Sequence, residues 1–531
     1  MPAALLDTRD TALAQAEAVL KRVFGYDAFR GRQAAVIEAV LGGEDVLAVL
    51  PTGGGKSLCY QIPAILRPGL GLVISPLIAL MSDQVSAMQA RGVRAARLDS
   101  TLNLNERTDI WDAARAGELD LLYLSPEALS QPFVRECLTR MAVNLVAIDE
   151  AHCVSQWGHD FRPEYRALGQ VKALFPGVPT LALTATADHV TRADIKAALH
   201  IDAAREIVAG FDRPNLSLRF VRRKGAVTKE ISALLARRHG EAGIIYCGSR
   251  DGTEDLAAAL TKQGFAAEAY HAGLPAELRE KRLKAFMAGK AKIMVATIAF
   301  GMGINKADVR FVIHADPPSS LEAYWQEVGR AGRDGKPAAG VCFYAPGDLG
   351  WAVRRLSLRE KEGAPDQSVQ KQKARDFFQM VLSPDCRRQA IKSYFGEEAG
   401  EPCGHCDNCL SRDGVRDVTE PAQMLMSALY RFNGPRGRRK LIEHVLGKAV
   451  GHDYTTRLPT FGVARNYPAE LLTHVLDQCE AHGLIEEELY NGKMPIVALR
   501  DAAGLKKLFK GEWALAARAE AAAARPRRAR R

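Results

Sequence analysis

The chain has 531 residues, of which 47% are hydrophobic and 25% are charged. This is ordinary globular composition, which excludes a disordered, collagenous or fibrous protein, and the length predicts three or four domains. The formal net charge of +10 indicates a polyanionic partner. Met1–Leu20 carries acidic residues and no apolar run is long enough to cross a bilayer, so we expect a soluble cytoplasmic protein with no membrane partner.

Short apolar runs alternate with amphipathic helical stretches up to about residue 345, as in parallel sheets covered by helices. The first set of predicted strands is Val46–Leu50, Leu72–Ser75, Leu121–Leu124, Leu145–Ile148 and Leu181–Thr184. The second set is Ile244–Cys247, Ile293–Ala296, Phe311–His314 and Val341–Tyr344. Phe211–Asn215 contains a proline and predicts a joint between two similar α/β domains, over residues 1–208 and 209–345.

A glycine-rich turn follows the first predicted strand and precedes a helical stretch. Its residues are Pro51, Thr52, Gly53, Gly54, Gly55, Lys56 and Ser57. Glycines let backbone N–H groups close around phosphates, Lys56 would reach the terminal phosphates, and the Ser57 hydroxyl would hold Mg²⁺. The strict phosphate-loop pattern has glycine where Leu50 stands, and a plain glycine-rich turn is the alternative. The intact Gly-Lys-Ser after a strand favours a nucleotide site.

Two carboxylates, Asp149 and Glu150, follow the predicted strand Leu145–Ile148 and are themselves followed by Ala151 and His152. A carboxylate at a strand end beside a phosphate loop can hold Mg²⁺, and its neighbour can position and deprotonate water. Alone, an Asp-Glu pair is usually a solvated turn. Together with the phosphate loop, it predicts nucleoside triphosphate hydrolysis with Lys56, Asp149 and Glu150 as catalytic residues.

These two motifs resemble those of superfamily 2 helicases, and the later motifs narrow the resemblance to the RecQ family of DNA helicases. The resemblance runs from about Phe24 to Cys409 with the motifs in order, and more weakly to about residue 510. It implies two tandem RecA-like parallel-sheet domains with ATP bound between them, then a small zinc-binding helical module and a winged-helix domain. It also implies 3′→5′ movement on single-stranded DNA and separation of duplex strands in recombination, repair or replication-fork processing.

The resemblance also assigns roles to residues in both α/β domains. Tyr26 would stack on adenine and Gln33 would hydrogen-bond its edge, with Arg30 in the same motif. In the second domain, Arg330 and Arg333 are three positions apart and could face one way from a helix. One of them would be the arginine finger that neutralises charge on the transferred phosphoryl group. We favour Arg333, and a salt-bridged surface position is the alternative for either arginine.

Further motifs point to nucleic acid. The turns at Ser75-Pro76-Leu77 and Ser125-Pro126-Glu127 match family motifs that touch the nucleic-acid backbone, and Thr184-Ala185-Thr186 matches the motif that couples the two domains. An aromatic-rich segment after His152 resembles the loop that senses single-stranded DNA in the family, because aromatic rings beside a basic group can stack on unpaired bases. Its predicted DNA-binding residues are Trp157, His159, Phe161 and Arg162. A buried core position is the alternative for Trp157.

Four cysteines cluster near the middle of the C-terminal half: Cys386, Cys403, Cys406 and Cys409. Four thiolates at this spacing predict a closed tetrahedral Zn²⁺ site in a module spanning residues 346–415. His405 lies inside the cluster and is surplus to a four-cysteine site. An iron–sulfur cluster is the alternative, and disulfide pairing is disfavoured in a reducing compartment.

Helical stretches and a predicted hairpin, Glu488–Tyr490 and Met494–Leu499 joined by Asn-Gly, indicate the winged-helix domain, over residues 416–512. Three arginines of its densest basic run are expected to contact duplex phosphates: Arg436, Arg438 and Arg439. The acidic run 486–488 beside the hairpin would repel phosphate. We expect residues 513–531 to form a basic, Ala/Arg-rich tail that is helical or disordered, too short for the further helical module of many family members.

The sequence therefore predicts an ATP-dependent DNA helicase with ATP, Mg²⁺ and Zn²⁺ as cofactors. Its expected partners are single-stranded and forked duplex DNA, together with single-strand DNA-binding protein and other repair proteins at the nucleoid. Two alternatives stay open: an RNA helicase, since Asp-Glu-Ala-His also occurs there, and a DNA-binding or annealing module whose ATPase only regulates binding.

Overall fold

The computed structural model describes residues 3–51, 53–155, 162–301, 306–362, 366–411, 414–432, 436–448, 454–491 and 494–518. The first domain is a parallel sheet covered by helices. Its strands are β1 (Val46–Val49), β2 (Leu70–Ile74), β3 (Ala95–Leu98), β4 (Leu121–Leu124), β5 (Val143–Ile148), β6 (Thr180–Thr184) and β7 (Arg205–Val208). Its helices are α1 (Ala3–Val19), α2 (Gln33–Leu41), α3 (Leu58–Leu66), α4 (Ile78–Gln89), α5 (Leu104–Arg115), α6 (Pro126–Ser130), α7 (Pro132–Thr139), α8 (Pro163–Arg166), α9 (Val171–Leu174) and α10 (His189–Leu199).

The strands of this sheet follow the order β3-β4-β2-β5-β6-β1-β7, and neighbouring strands are parallel. The inner strands are almost wholly apolar, because helices cover both faces of a parallel sheet and leave no solvated side. Parallel strands end at one edge, so the turns after β1, β2, β5 and β6 meet there. This edge carries the predicted nucleotide motifs.

The second domain repeats the architecture. Its strands are β8 (Leu216–Arg222), β9 (Ala242–Tyr246), β10 (Ala267–Tyr270), β11 (Ile293–Ala296), β12 (Val309–His314) and β13 (Ala338–Tyr344). Its helices are α11 (Val227–Leu235), α12 (Arg250–Lys262), α13 (Ala276–Met287) and α14 (Leu321–Val328). These strands are also parallel, in the order β10-β11-β9-β12-β13-β8. The prediction of two tandem RecA-like domains is confirmed.

A helical module follows and packs on the second domain. It consists of α15 (Asp348–Lys361), α16 (Ser368–Leu382), α17 (Arg387–Tyr394) and α18 (Asp407–Leu410). Buried rings of the module, Phe377 and Phe395, share one apolar core with Phe211 and with Tyr324 of α14. The module therefore touches both the second domain and the segment that joins the two sheets.

The C-terminal domain has its own apolar core. Its elements are β14 (Val415–Asp417), α19 (Thr419–Arg431), α20 (Arg438–Val445), a 3₁₀ turn (Tyr454–Arg457), α21 (Ala469–Ala481), β15 (Ile485–Tyr490), β16 (Met494–Leu499), α22 (Ala502–Lys510) and β17 (Ala516–Arg518). β15 and β16 form the predicted antiparallel hairpin, with Asn491 at φ 52° where the turn begins. Helices followed by this hairpin give the expected winged-helix architecture.

The expected tail differs from the structure at its start. β17 pairs antiparallel with β14, and Leu515 and Ala517 are buried in the core of the C-terminal domain. Residues 513–518 therefore belong to the folded domain, because their apolar side chains complete its core; 519–531 lie outside the described residues. None of the helices in the described parts of the chain is long and apolar enough to cross a membrane.

Candidate nucleotide site and zinc centre

The phosphate loop leaves β1 at the carboxyl edge of the first sheet and leads into α3. Gly53 and Gly55 have φ values of 81° and 68°, a region that other residues rarely adopt. A β-carbon on Gly54 would lie 2.9 Å from the carbonyl oxygen of Pro51. Each glycine is thus required by local geometry, and the backbone stays open for phosphate. Thr52 lies outside the described residues.

Gln33 begins α2 and reaches back to this loop. Its Nε2 donates to the carbonyl oxygens of Gly54 at 2.9 Å and Gly55 at 3.1 Å, while its Oε1 accepts from the Arg30 N–H at 2.8 Å. Both amide hydrogens are therefore used on the phosphate loop, and only Oε1 has capacity left for a base. Tyr26 is 46% exposed, and the Arg30 guanidinium lies 5.8 Å from its ring centroid. An exposed ring at this position can stack on a flat ligand.

The two carboxylates stand at the end of β5, beside the phosphate loop. The backbone N–H of Asp149 donates to the carbonyl oxygen of Ile74 at 2.8 Å, and the N–H of Glu150 donates to Asp149 Oδ1 at 2.9 Å. Burial raises the pKa of Asp149 to about 7, with a further rise from the Glu150 charge and an opposing effect of Lys56. A cation bound here would favour the charged carboxylate. The site therefore suits Mg²⁺.

His152 links the carboxylates to the turn after β6. The ring is fully buried, and its Nδ1 lies 2.9 Å from Thr184 Oγ1 and 3.4 Å from Glu150 Oε2. The N–H of Thr186 donates to the same Thr184 hydroxyl at 3.3 Å. His152 is a site residue that the sequence prediction missed, and its place in the Asp-Glu-Ala-His motif is the signal that could have found it.

The two arginines of the second domain lie beside different glycines, Gly53 and Gly301. α14 ends at Val328, so both lie in the turns that follow it and the expected shared helix face does not exist. A β-carbon on Gly53 would lie 3.5 Å from Arg333 Cγ, which brings this side chain against the phosphate loop of the other domain. Burial, together with neighbouring cations, lowers the pKa of Arg333 to about 10. Arg330 instead lies beside Gly301 of its own domain.

The aromatic-rich segment is described only at its two ends. Trp157, His159 and Phe161 fall within 156–161, outside the described residues. Arg162 is described: its N–H donates to the carbonyl oxygen of Cys153 at 3.0 Å, and its Nη1 donates to that of Pro76 at 3.3 Å.

The flanks of this segment also reach the carboxylate site. The Ser155 hydroxyl donates to Asp194 at 2.7 Å. The buried Tyr165 hydroxyl, three residues beyond Arg162, donates to the carbonyl oxygen of Asp149 at 3.2 Å. Both ends are therefore fixed on the first domain, and one of them contacts the backbone of a carboxylate residue.

The four cysteines converge as predicted for one metal ion. The ligand atoms of Cys386, Cys403, Cys406 and Cys409 all lie within 4.8 Å of one another. The Cys403 and Cys409 sulfurs are 3.8 Å apart, and Zn–S bonds of about 2.3 Å in a tetrahedron require sulfurs about 3.8 Å apart. That separation is too long for a disulfide. An iron–sulfur cluster would place several atoms between the thiolates and hold them farther apart, so the donors fit zinc.

For Arg438 the structure differs from the predicted DNA contact. Its guanidinium lies in the interface beneath α20 and pairs with Asp477 at 2.5 Å, with Glu480, and with Glu487 at 3.2 Å. Three carboxylates occupy its donors, so it is not presented to a phosphate. Arg439, the next residue, is 86% exposed. Arg436 stacks over the rings of Phe432 and Tyr454.

The acidic run beside the hairpin is neutralised by the rest of the protein. Glu486 pairs with Arg375 of α16 at 3.3 Å, and Glu487 pairs with Arg354 of α15 at 2.5 Å. Arg500 pairs with Glu488. Glu486 and Glu487 therefore attach the hairpin to the helical module, and the predicted repulsion of DNA by the acidic run is reduced by ion pairing.

Known protein families match consecutive parts of the chain that correspond to the domains seen in the structure. Residues 30–194 match the DEAD/DEAH box helicase domain and residues 226–335 the helicase conserved C-terminal domain. Residues 350–410 match the RecQ zinc-binding domain and residues 413–525 the RQC domain. The fold and the site therefore define an ATP-driven helicase with two RecA-like domains.

Whole-chain comparisons narrow the class. An ATP-dependent DNA helicase RecQ of Pasteurella multocida is 41% identical over 94% of this chain and 78% of its own. A protein of Acanthamoeba polyphaga mimivirus, provisionally named an ATP-dependent RNA helicase, is 38% identical over 91% of this chain and 90% of its own. The Mycobacterium smegmatis helicase Lhr, solved with single-stranded DNA and AMP-PNP, has a TM-score of 0.50 at 18% identity, over 91% of this chain and 60% of that one. This last likeness supports the fold alone.

The chain belongs to the RecQ family of ATP-dependent DNA helicases. It unwinds DNA at the expense of ATP, and the 3′→5′ direction and the repair and recombination roles are those of the family. ATP with Mg²⁺ and a zinc ion are its cofactors. DNA is its macromolecular partner.

Proposed function

We propose that ATP is hydrolysed between the two sheet domains, and that opening and closing of this cleft moves single-stranded DNA past the first domain. The contact of Arg333 with Gly53 supports this, because an arginine delivered across a cleft can neutralise charge on the transferred phosphoryl group. Lys56 would hold the terminal phosphates, and Glu150 would orient and deprotonate the attacking water. Ser57 and Asp149 would hold the magnesium ion, which neutralises phosphate charge.

The proposal includes the remaining predicted contacts. Tyr26 would stack on adenine, and Gln33 Oε1 would accept a hydrogen bond from the adenine amino group. Trp157 would stack on an unpaired base, and the fixed ends of its segment support a connection to the carboxylates, since Arg162 bonds Pro76 and Tyr165 bonds Asp149 in the described flanks. Such stacking is worth about 1–3 kcal/mol per base.

We also propose the divisions 1–208, 209–345 and 346–415, with the winged-helix domain extended from 416–512 to 415–518 because β14 and β17 pair. Forked duplex DNA is the proposed substrate, and single-strand DNA-binding protein and other repair proteins are proposed partners. A protein acting on such DNA would work in the cytoplasm at the nucleoid. Arg436 and Arg439 would contact duplex phosphates.

Strand separation and ATP turnover measured together on one preparation test this function. Forked DNA should be unwound and should stimulate ATPase activity, whereas a forked RNA of the same sequence should do neither. Unwinding of RNA would favour the RNA helicase, and DNA-stimulated turnover with no unwinding would favour a binding or annealing protein.

Two lysine variants sharpen the test. Lys56→Ala should lose ATP turnover and unwinding while DNA binding survives, because only the phosphate contact is removed. Lys21→Ala is the matched control, since the Lys21 side chain is 75% exposed and its ion-pair partner within the described residues is the exposed Asp27. Unwinding by Lys56→Ala at the wild-type rate would contradict the assignment of the phosphate loop.

A further inference from the structure

The segment 209–215, which joins the two sheets, is held by side chains of the zinc-binding module. The N–H of Gly210 donates to Glu397 Oε1 at 2.8 Å. The ring of Phe211 stacks on that of Phe395, with centroids 4.1 Å apart and planes 10° apart. The joint between the domains is therefore packed against a third unit of the protein, which can restrict how it bends.

Arg388 of α17 is the centre of this attachment. Its Nη1 pairs with Asp212 at 3.1 Å, and its Nη2 lies 3.0 Å from the carbonyl oxygen of Arg213 and 2.6 Å from His405 Nε2. The other ring nitrogen of His405 lies 2.6 Å from the carbonyl oxygen of Cys403. These neighbours assign the tautomer: Nδ1–H donates to Cys403, and Nε2 accepts from Arg388. The histidine that is surplus to the metal site thus connects the cysteine loop to the joint.

The joint in turn holds the turn that carries the arginine finger. Arg213 Nη2 donates to the carbonyl oxygens of Ala331 at 2.8 Å and Gly332 at 3.1 Å. The Asn215 side-chain amide donates to the Gly332 carbonyl oxygen at 2.8 Å. These carbonyls immediately precede Arg333. The backbone that aims Arg333 at the phosphate loop is therefore bonded to the joint and not only to its own domain.

We infer that Arg388 is a positioning residue, which ties the zinc-binding module to the joint and, through Arg213, sets the place of Arg333 in the nucleotide site. The inference rests on the proposed role of Arg333. A guanidinium suits this task because its planar group donates in several fixed directions at once, here to a carboxylate and a carbonyl of the joint and to an imidazole of the cysteine loop. A lysine ammonium could not reach all three acceptors with that geometry.

The first test compares two arginines of the zinc-binding module. Arg388→Ala should keep one zinc per chain and a KM for ATP within about twofold of wild type. Its DNA-stimulated kcat should fall about 10- to 100-fold, because a displacement of about 1 Å in a catalytic group costs up to about 100-fold in rate. Arg375→Ala is the matched control: it removes the same charge from the same module, but its partner is Glu486 of the hairpin, so kcat should be unchanged.

The decisive measurement repeats Arg388→Ala in an Arg333→Ala background, using single-turnover hydrolysis to reach low rates. If Arg388 acts through Arg333, the double variant should hydrolyse ATP as fast as Arg333→Ala alone. A multiplicative loss, or an unchanged kcat in Arg388→Ala by itself, overturns the inference. If Arg333→Ala alone has the wild-type kcat, Arg333 is not the arginine finger and the proposed function is wrong on this point. The two outcomes above instead contradict only the link between Arg388 and Arg333.

A second variant tests the inference even if Arg388→Ala unfolds the zinc-binding module. Asp212→Asn leaves every residue of the cysteine cluster in place and weakens only the joint's side of the ion pair. It should lower kcat several-fold with zinc content, melting temperature and KM for ATP unchanged. If Arg388→Ala loses zinc, Asp212→Asn decides alone: a wild-type kcat in this variant overturns the inference.

Discussion

Arg333 and Arg438 are both partly buried, but their surroundings are opposite. Burial lowers the pKa of Arg438, but three neighbouring carboxylates raise it by more. The pKa of Arg438 therefore lies above the ordinary range for arginine. Around Arg333, burial and the neighbouring charges of Arg330 and Arg213 outweigh the opposing effects of Tyr246 and Glu150, and its pKa falls to about 10. The interface below the winged helix holds a cation among three carboxylates, whereas the cleft between the sheets holds one near two other arginines.

Asp149 repeats this contrast with the opposite sign. Its pKa is raised to about 7, by burial first and by Glu150 second. A buried carboxylate and a partly buried guanidinium, each held away from its ordinary pKa on facing sides of one cleft, suit a site for Mg²⁺ and phosphate. The ion-paired Arg438 therefore marks structure in this protein, whereas the shifted pKa values of Asp149 and Arg333 mark the place of the ligand.

The largest effect is expected in the cleft. Arg333→Ala should lower DNA-stimulated kcat by about 10³–10⁵-fold, the usual contribution of an arginine finger, with little change in thermal stability. Arg330→Ala is the matched comparison and should lose less, because its guanidinium lies beside Gly301 within one domain. Steady-state ATPase assays with saturating single-stranded DNA measure both. A larger loss in Arg330→Ala would assign the finger to that residue instead.

The cysteine cluster extends the comparison of charged sites, because the negative charge of four thiolates is balanced by a bound cation. Cys403→Ala should lose the metal and unfold the surrounding module, because metal binding and folding are coupled at structural zinc sites. Elemental analysis of the wild type should give about one zinc per chain, and proteolysis should cut the variant within 386–411. Iron with sulfide, or a folded variant without metal, would contradict the zinc assignment.

Two adjacent arginines test the interface below the winged helix. Arg438→Ala should lower the free energy of unfolding by about 3–5 kcal/mol, because it leaves buried carboxylates without their partner. The exposed Arg439→Ala should leave stability unchanged, weaken duplex binding and reduce its salt dependence by about one phosphate contact. Urea denaturation and binding titrations at several salt concentrations measure the two effects. The reverse pattern would show that Arg438 faces DNA in solution.

The smallest expected effect is a pH dependence. Because the pKa of Asp149 is raised in the nucleotide-free protein, its contribution to stability is present in acid and is lost as pH rises through about 7. Mg·ATP needs the charged carboxylate, so its affinity should rise by up to about tenfold per pH unit below 7 and level off above it. Calorimetry in two buffers should detect one released proton. Asp149→Asn carries no such proton, and an equal release from it would refute the assignment.

The sequence predicted the inner strands of both sheets and missed all four edge strands, β3, β7, β8 and β10. The inner strands are continuous apolar runs because helices cover both faces and strands cover both sides. The edge strands contain exposed charged or small residues, such as Arg205 and Glu206 in β7. Without an apolar run, they had no signal that separates a strand from a loop.

The site residues likewise divide into those that the sequence could predict and those that it could not. The residues proposed to bind phosphate lie in short contiguous motifs, and their roles could be proposed from spacing. Arg438 could not be told from Arg439 in a basic run, because consecutive helix positions point about 100° apart and only the packing of α20 on α21 buries one of them. The bond between Arg388 and the joint spans 175 residues in sequence, and no local pattern predicts it.

Glu150 has φ 49° and ψ 45°, a left-handed conformation that costs a residue with a β-carbon about 1–2 kcal/mol. Glycine or asparagine would relieve that strain, so Glu150→Gly should give a more thermostable protein that no longer activates water. Selection for heat resistance alone would therefore remove the residue that we propose activates the attacking water. In this helicase, thermal robustness and catalysis compete for a single position of the backbone.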